Sequence, residues 1–195
     1  MPAHASVTVY CSSSRNLHEG YHHAARAFAT LLARSGRTLV FGGGRVGLMG
    51  EIARAARAAG GRTIGIITTR LRDAELLDPD NHENIVVPTM RERKALLESR
   101  GDAFVVLPGG PGTLEEFFEI LVGRHLGEHS KPIHMLSTTA FGSTGRYYDP
   151  LLALCDHMVE GGFAPPHLRS YFRVHDDPAA LIADLDTLLP REPHA

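Results

Sequence analysis

The sequence predicts an α/β, doubly wound parallel sheet with helices on both faces, built from residues 1–195 as one domain. Three observations carry that expectation. Short β-rich runs alternate with helical stretches across short links, as in a parallel sheet covered on both sides. Two glycine-rich loops, Gly42-Gly43-Gly44 and Gly109-Gly110-Pro111-Gly112, each follow a strand and precede a helix. Finally, 195 residues, 43% of them hydrophobic, can bury one full core, and no repeat, linker or low-complexity tract divides them.

The elements follow in order. Val7 to Cys11 is a β-rich run closed by the loop Ser12-Ser13-Ser14. Tyr21, Ala24, Ala25, Phe28, Leu31 and Leu32 recur at helical spacing, and Gly36 ends that helix. Thr38 to Phe41 is the second strand. Leu48, Ile52, Ala55, Ala56 and Ala59 form one apolar stripe stopped by Gly60-Gly61, and Thr63 to Ile67 is the third strand. Thr68 to Asn84 is charged and weakly periodic, which predicts a mobile loop with room for one helical turn. Ile85 to Val87 is a short strand. Thr89-Met90-Arg91-Glu92 has the form of a capping box and opens a helix to about Ser99. Phe104 to Leu107 is the next strand; the second glycine loop and a helix to about Leu126 follow, and then the strand Ile133 to Leu136. Asp149-Pro150 and Asp177-Pro178 each read as an N-cap with proline at the first helical position.

Composition narrows the function classes. A net charge of -2 gives no global field for nucleic acid or an anionic membrane. Two cysteines, Cys11 and Cys155, make no disulfide framework. No apolar run approaches the ~20 residues of a membrane span. A cytoplasmic protein without nucleic-acid or membrane partners is expected.

The chemistry concentrates in Pro108 to Glu116. Three glycines in four residues leave backbone N–H groups uncovered at a helix N-terminus, where the dipole favours an anion such as phosphate. Glu116 then falls in the first helical turn, where a carboxylate can orient a sugar or a water beside the phosphate. Thr113 and Glu116 also spell the T-x-x-E of a capping box, which would satisfy backbone N–H groups instead. Gly42, Gly44 and Gly47 match G-x-G-x-x-G, but the following strand ends Thr68-Thr69-Arg70 with no acid for a ribose, so NAD is disfavoured and NADP barely open. For Gly47 and Gly50, close helix–sheet packing and a ligand role weigh equally. Arg93 can reach the same ligand from its helix, while Lys94 can pair with Glu98 at i,i+4. His125 and His129 are spaced i,i+4, yet no acid or cysteine completes a set, so no metal is expected.

Met90-Arg91-Glu92-Arg93-Lys94 and Pro108 to Glu116 resemble the paired M-x-x-R-K and P-G-G-x-G-T-x-x-E signatures of the Lonely Guy (LOG) family. These are cytokinin riboside 5′-monophosphate phosphoribohydrolases, often labelled lysine decarboxylases. The likeness extends through Val9 to Ser14, Phe41 to Gly50, Gly127 to Pro132 and Tyr147 to Leu151. It implies a Rossmann-like fold, a homodimer, no cofactor, and hydrolysis of the N-glycosidic bond of an adenine-type nucleoside 5′-monophosphate. By position, Gly110, Gly112 and Thr113 would cradle the phosphate, and Arg93 and Glu116 would be catalytic. Glu75 and Lys94 would contact substrate, with Ser13, Gly43, Gly44, Met90, Gly109, Pro111 and Glu115 completing the substrate-facing set. The decarboxylase label has no support, since nothing frames a lysine for pyridoxal phosphate. The chain departs from the family at Val122, Gly123 and His125 and in a longer segment 137–146, which leaves the base open among N6-modified adenine, AMP and CMP. A non-catalytic nucleotide-binding module is the alternative from another class.

Overall fold

Seven short strands pair side by side, all parallel, in the order β4-β3-β2-β1-β5-β6-β7. They are β1 Ser6–Tyr10, β2 Thr38–Phe41, β3 Thr63–Thr68, β4 Glu83–Val87, β5 Ala103–Val106, β6 Ile133–Leu136 and β7 Arg173–His175. The helices are α1 Glu19–Arg34, α2 Gly47–Ala58, α3 Thr69–Asp73, α4 Met90–Arg100, α5 Pro111–Leu126, α6 Asp149–Glu160 and α7 Pro178–Leu188. A 3-10 turn spans Leu168–Tyr171. The structure, a computed structural model, describes residues 5–74, 76–139 and 144–189.

Alternation along the strands builds two cores. Val7, Val9, Leu39, Phe41 and Val105 face α1, α2 and α7; Tyr10, Val40, Phe104, Val106 and Met135 face α4, α5 and α6. Phe28, Leu32 and Ile52 on the first side are completely buried, each worth about 1.5–3 kcal/mol. The doubly wound sheet expected from the alternation of elements is therefore present, with helices on both faces.

The chain winds outward from β1 to β4, then returns to lay β5 against the other side of β1. At that reversal the connections leave in opposite directions and a crevice opens beyond the carboxyl ends of β1 and β5, the place where such sheets bind ligands. Both glycine loops reach this rim. Hydrogen bonds fix the rim: Ser12 N–H donates to Pro108 O at 3.1 Å, and Leu48 N–H to Ser12 O at 3.0 Å. Gly47 sits at φ +59°, and an added Cβ would lie 2.5 Å from the Ser13 carbonyl carbon. At Gly50 a Cβ would meet Arg45 O at 2.1 Å. Both positions therefore carry the packing reading: backbone approaches too closely for any side chain.

Local differences from the sequence reading have physical causes. Asp149 is the first helical residue of α6 and not its N-cap, because buried Tyr148 takes the cap position. The Tyr148 N–H is held by Ser137 Oγ at 2.9 Å, and the Asp149 carboxylate accepts from the Arg146 N–H at 2.8 Å. At Asp177 the expected cap forms, accepting from the Ala180 N–H at 2.8 Å. Strand β7 is only three residues long, two of them cationic or imidazole, too short to show a period. The segment after β3 carries α3 and is tied to the first glycine loop: Arg45 N–H donates to Leu76 O and Asp78 N–H to Gly43 O, both at 2.9 Å.

Candidate active site

Helix α5 begins one residue after Gly110, its N-cap, with Pro111 at the first position. Leu114 N–H closes the first turn onto Gly110 O at 3.0 Å. The Gly112 and Thr113 N–H groups precede that bond and have no intrahelical acceptor. A Cβ at Gly110 or Gly112 would meet nothing within 4 Å, so packing does not require glycine at either position. Gly109 differs, since a Cβ there would strike Thr113 Oγ1 at 2.1 Å, and its carbonyl accepts from Tyr147 Oη at 2.8 Å. This start rules out the capping box: Thr113 is the third helical residue and not the N-cap, and Glu116 lies in the second turn instead of the first.

Glu116 instead meets Arg93. The guanidinium is buried and held on all three nitrogens: Nε donates to Ile66 O at 2.9 Å, Nη2 to Gly42 O at 3.3 Å, and Nη1 to Glu116 Oε1 at 3.3 Å. Gly42 is required by this arrangement, because a Cβ would lie 2.1 Å from Arg93 Nη2. Burial pushes the Glu116 carboxyl from its ordinary 4.5 up to about 7, against the opposing pull of Arg93 and with a further push from Glu115 and Glu119. A carboxyl that titrates near neutrality in a crevice can both take and give a proton.

These groups border a cavity of about 460 Å³, within the usual range for small-molecule sites. It crosses the ends of β3, β2, β1 and β5, a span of about 14 Å at the spacing of neighbouring strands. The α5 N-terminus closes the β5 end; Ile67, Leu71 and Leu76 form an apolar wall at the β3 end; Arg93 and Glu116 lie on the lining between. Of the residues read from the sequence, Ser13, Gly44, Arg93, Gly110, Pro111, Gly112, Thr113 and Glu116 line this cavity. Gly43 lies behind it at φ +73°, against the backbone of Gly65 and Ile66. Met90 is largely exposed, its Sδ 3.5 Å from Arg93 Nη1. Lys94 and Glu115 pair outside the lining at 2.9 Å, with Glu119 at 3.2 Å from the same Nζ. Glu75 lies outside the described residues, as do positions 140–143 of the segment 137–146.

Sequence reasoning placed Gly42 only in the G-x-G-x-x-G match and Cys11 only at a strand end, and it missed Val46 and the leucines of the apolar wall. Leu71 and Leu76 did carry a signal: they are apolar residues in a charged, otherwise aperiodic segment. Cys11 and Cys155 are both free and buried, and burial pushes the Cys11 thiol well up. His125 and His129 turn to separate partners, Tyr171 Oη and Ile120 O. Among the described residues no helix is long and apolar enough to cross a membrane.

A parallel sheet with an open helix N-terminus and a buried acid at its switch point defines a Rossmann-like α/β protein with a crevice of small-molecule size. Solved structures share this architecture. The molybdenum cofactor binding protein of Rippkaea orientalis superposes with a TM-score of 0.73, covering 96% of this chain and 99% of its own at 19% identity. The Chlamydomonas reinhardtii molybdenum cofactor carrier protein gives 0.71 over 95% and 98%, at 22% identity. At these identities the likeness is one of fold. Sequence comparison reaches further. The family model described as "Possible lysine decarboxylase" matches residues 49–185. The cytokinin riboside 5′-monophosphate phosphoribohydrolase of Mycobacterium tuberculosis is 44% identical over 161 residues, 83% of this chain and 82% of that protein. That of Rhodococcoides fascians is 40% identical over 185 residues, 93% and 89%. An Arabidopsis thaliana enzyme of the same name is 38% identical over 94% and 78%. The chain belongs to the Lonely Guy (LOG) family.

Proposed function

We propose that this chain is a phosphoribohydrolase that cleaves the N-glycosidic bond of a nucleoside 5′-monophosphate, with an N6-modified adenine as the preferred base. The observation that carries the reading is the buried Arg93–Glu116 pair beside the open helix N-terminus. Substrate phosphate accepts from the Gly112 and Thr113 N–H groups, in the space that glycine leaves at 110 and 112. With the phosphate fixed at the β5 end, the ribose lies over Glu116 and the base reaches toward Ile67, Leu71 and Leu76.

As the bond from C1′ to the base nitrogen lengthens, positive charge builds on C1′ and the ring oxygen, and the ionised Glu116 stabilises it. Water then attacks C1′ and gives its proton to Glu116. The departing base takes the bond's electron pair, and the proton that Glu116 received passes through solvent to the base, so free base and ribose 5-phosphate are the products and the carboxylate is restored. Arg93 holds the carboxylate in place and offsets its charge until the proton arrives. A carboxyl titrating near 7 suits this step at neutral pH.

Lysine decarboxylation does not fit. The sequence has two lysines, Lys94 and Lys131, and neither lines the cavity. Lys94 is held by Glu115 and Glu119, and Lys131 donates to Glu98 O at 2.6 Å, so no amine faces the crevice to hold pyridoxal phosphate. The proposal includes a cytoplasmic homodimer that binds neither nucleic acid nor membrane; sedimentation at micromolar concentration tests the dimer. Chromatography of incubations with isopentenyl-AMP, AMP, CMP, GMP and the matching nucleosides tests the activity. Base released only from monophosphates is expected, fastest from isopentenyl-AMP. Binding of AMP with no release from any substrate would replace the enzyme by a binding module.

A further inference from the structure

On the opposite flank of the sheet, three side chains converge that are far apart in sequence. Strands β6 and β7 pair with His134 beside Arg173 and Leu136 beside His175. Residues two apart on a strand share a face, so His134 and His175 point the same way from adjacent strands, diagonally opposed. Helix α7 covers this edge and adds Asp184. His134 Nδ1 lies 3.1 Å from His175 Nε2; Asp184 Oδ2 lies 3.5 Å from the first and 3.4 Å from the second.

We propose that His134, His175 and Asp184 form a binding site for a zinc-class divalent transition metal, clipping α7 to the edge of the sheet. The triangle of donor atoms has the right size. Ligand atoms bonded to zinc at about 2.0–2.1 Å in a tetrahedral array stand about 3.3–3.4 Å apart. The three observed separations bracket that value. Two imidazoles and a carboxylate are also the donor types this metal prefers, and they leave a fourth position for water. His175 and Asp184 are partly exposed, which gives the ion a path, while His134 is fully buried at the base.

The second observation is an unsatisfied charge. Asp184 Oδ2 is buried and has no hydrogen-bond partner among the described residues. Its sister Oδ1 is held by the Arg173 guanidinium. An unpartnered buried carboxylate oxygen aimed at two ring nitrogens is costly, and a cation at their centre removes that cost. Arg173 then serves as the outer partner that orients the carboxylate for one-oxygen ligation.

In the metal-free chain the two ring planes lie 25° apart with centroids at 5.3 Å, and at 3.1 Å one ring nitrogen donates to the other. Zinc takes the place of that shared proton. That proton shifts to the far nitrogen of the ring that held it, so both imidazoles stay neutral, no net proton is lost, and each ring turns a lone pair toward the ion. The sequence hid this set because His134 and His175 are 41 positions apart and only the parallel pairing of β6 with β7 brings them together.

The test uses the untagged full-length chain, stripped with a chelator and titrated with ZnCl2 by calorimetry at constant pH. One equivalent bound per chain and a raised melting temperature are expected. His175→Ala and Asp184→Asn should weaken binding by more than the roughly 10–100-fold that loss of an outer partner costs, whereas His23→Ala should change nothing. No stoichiometric uptake, or uptake unchanged in both ligand variants, overturns the site. Should a variant fail to fold, Co2+ added to the unaltered chain decides. Paramagnetic shifts confined to the ring protons of two histidines support the site, and shifts scattered over the exposed histidines overturn it.

Discussion

Glu116→Gln should make the protein more stable and inactive at once, and the size of both effects follows from the burial of one carboxyl. Its pKa is raised from 4.5 to about 7, so the folded chain holds the proton more tightly than the unfolded one. The contribution is fully present below pH 4.5 and is lost as pH rises through 7, because the folded protein must then keep a charge in a desolvated crevice. A separation of that size corresponds to about 3 kcal/mol at pH 8, shrinking to under about 0.5 kcal/mol at pH 4.5. Glutamine has the shape of the protonated acid and never carries the charge. The variant should therefore melt roughly 6–12 °C above the parent at pH 8, with the gap closing by pH 4.5. Turnover of the nucleotide should fall by about 100-fold or more, since no group is left to take the proton from water, while AMP still binds. Paired calorimetric melts at pH 4.5, 6 and 8, with product chromatography, read both arms. A variant that melts below the parent at pH 8 would refute the desolvation argument. One that retains a tenth of the turnover would refute the catalytic role.

The same carboxyl sets the pH profile of the parent. With Glu116 acting as its ionised form, kcat/KM should fall about tenfold per unit below pH 7 and level off above it, and a flat profile from 5 to 8 would contradict this. Gly112→Ala meets open space in the free chain, so it should melt no lower than the parent. Yet its methyl group would enter the proposed phosphate seat, and KM should rise about tenfold or more, the equivalent of one lost charge-assisted hydrogen bond; melting and steady-state kinetics separate the two effects. Gly42→Ala should do the opposite of Gly112→Ala in the free chain. Its Cβ would displace Arg93 Nη2, costing about 1–3 kcal/mol of stability, measured by urea unfolding, and lowering kcat through the misplaced Glu116.

The parts of the molecule that the sequence made readable are those whose signal is local. Helical stripes such as Ala24-Ala25-Phe28-Leu32 announce α1, and the glycine loops mark the rim because their backbone needs are written in the residues themselves. Thr89 caps α4 as its spacing predicts, accepting from the Glu92 N–H at 3.2 Å. The identical T-x-x-E spacing at Thr113 does not cap, because Pro111 and Gly112 already lie inside the helix and move its start upstream. What sequence could not show is what packing decides. The partner of Lys94 comes from a neighbouring helix, Leu76 is held at the crevice by the Arg45 N–H on its carbonyl and by its own N–H on Leu71 O, and β7 is defined by its pairing with β6.

Arg93 reaches backbone oxygens belonging to two neighbouring strand ends, Ile66 on β3 and Gly42 just beyond β2. The chemical centre is thus welded into the frame, and drift in its geometry would loosen the sheet itself. The far wall is hung differently: Leu71 belongs to α3, a helix of five residues with none of them buried. Substitution at Leu71 carries little penalty to folding, unlike substitution at Ile67 of the same wall, which is buried on β3. Within this architecture, on the proposed reading, the Arg93–Glu116 end is the costly part to change, and a different base would be accommodated by revising α3 and the residues that follow it.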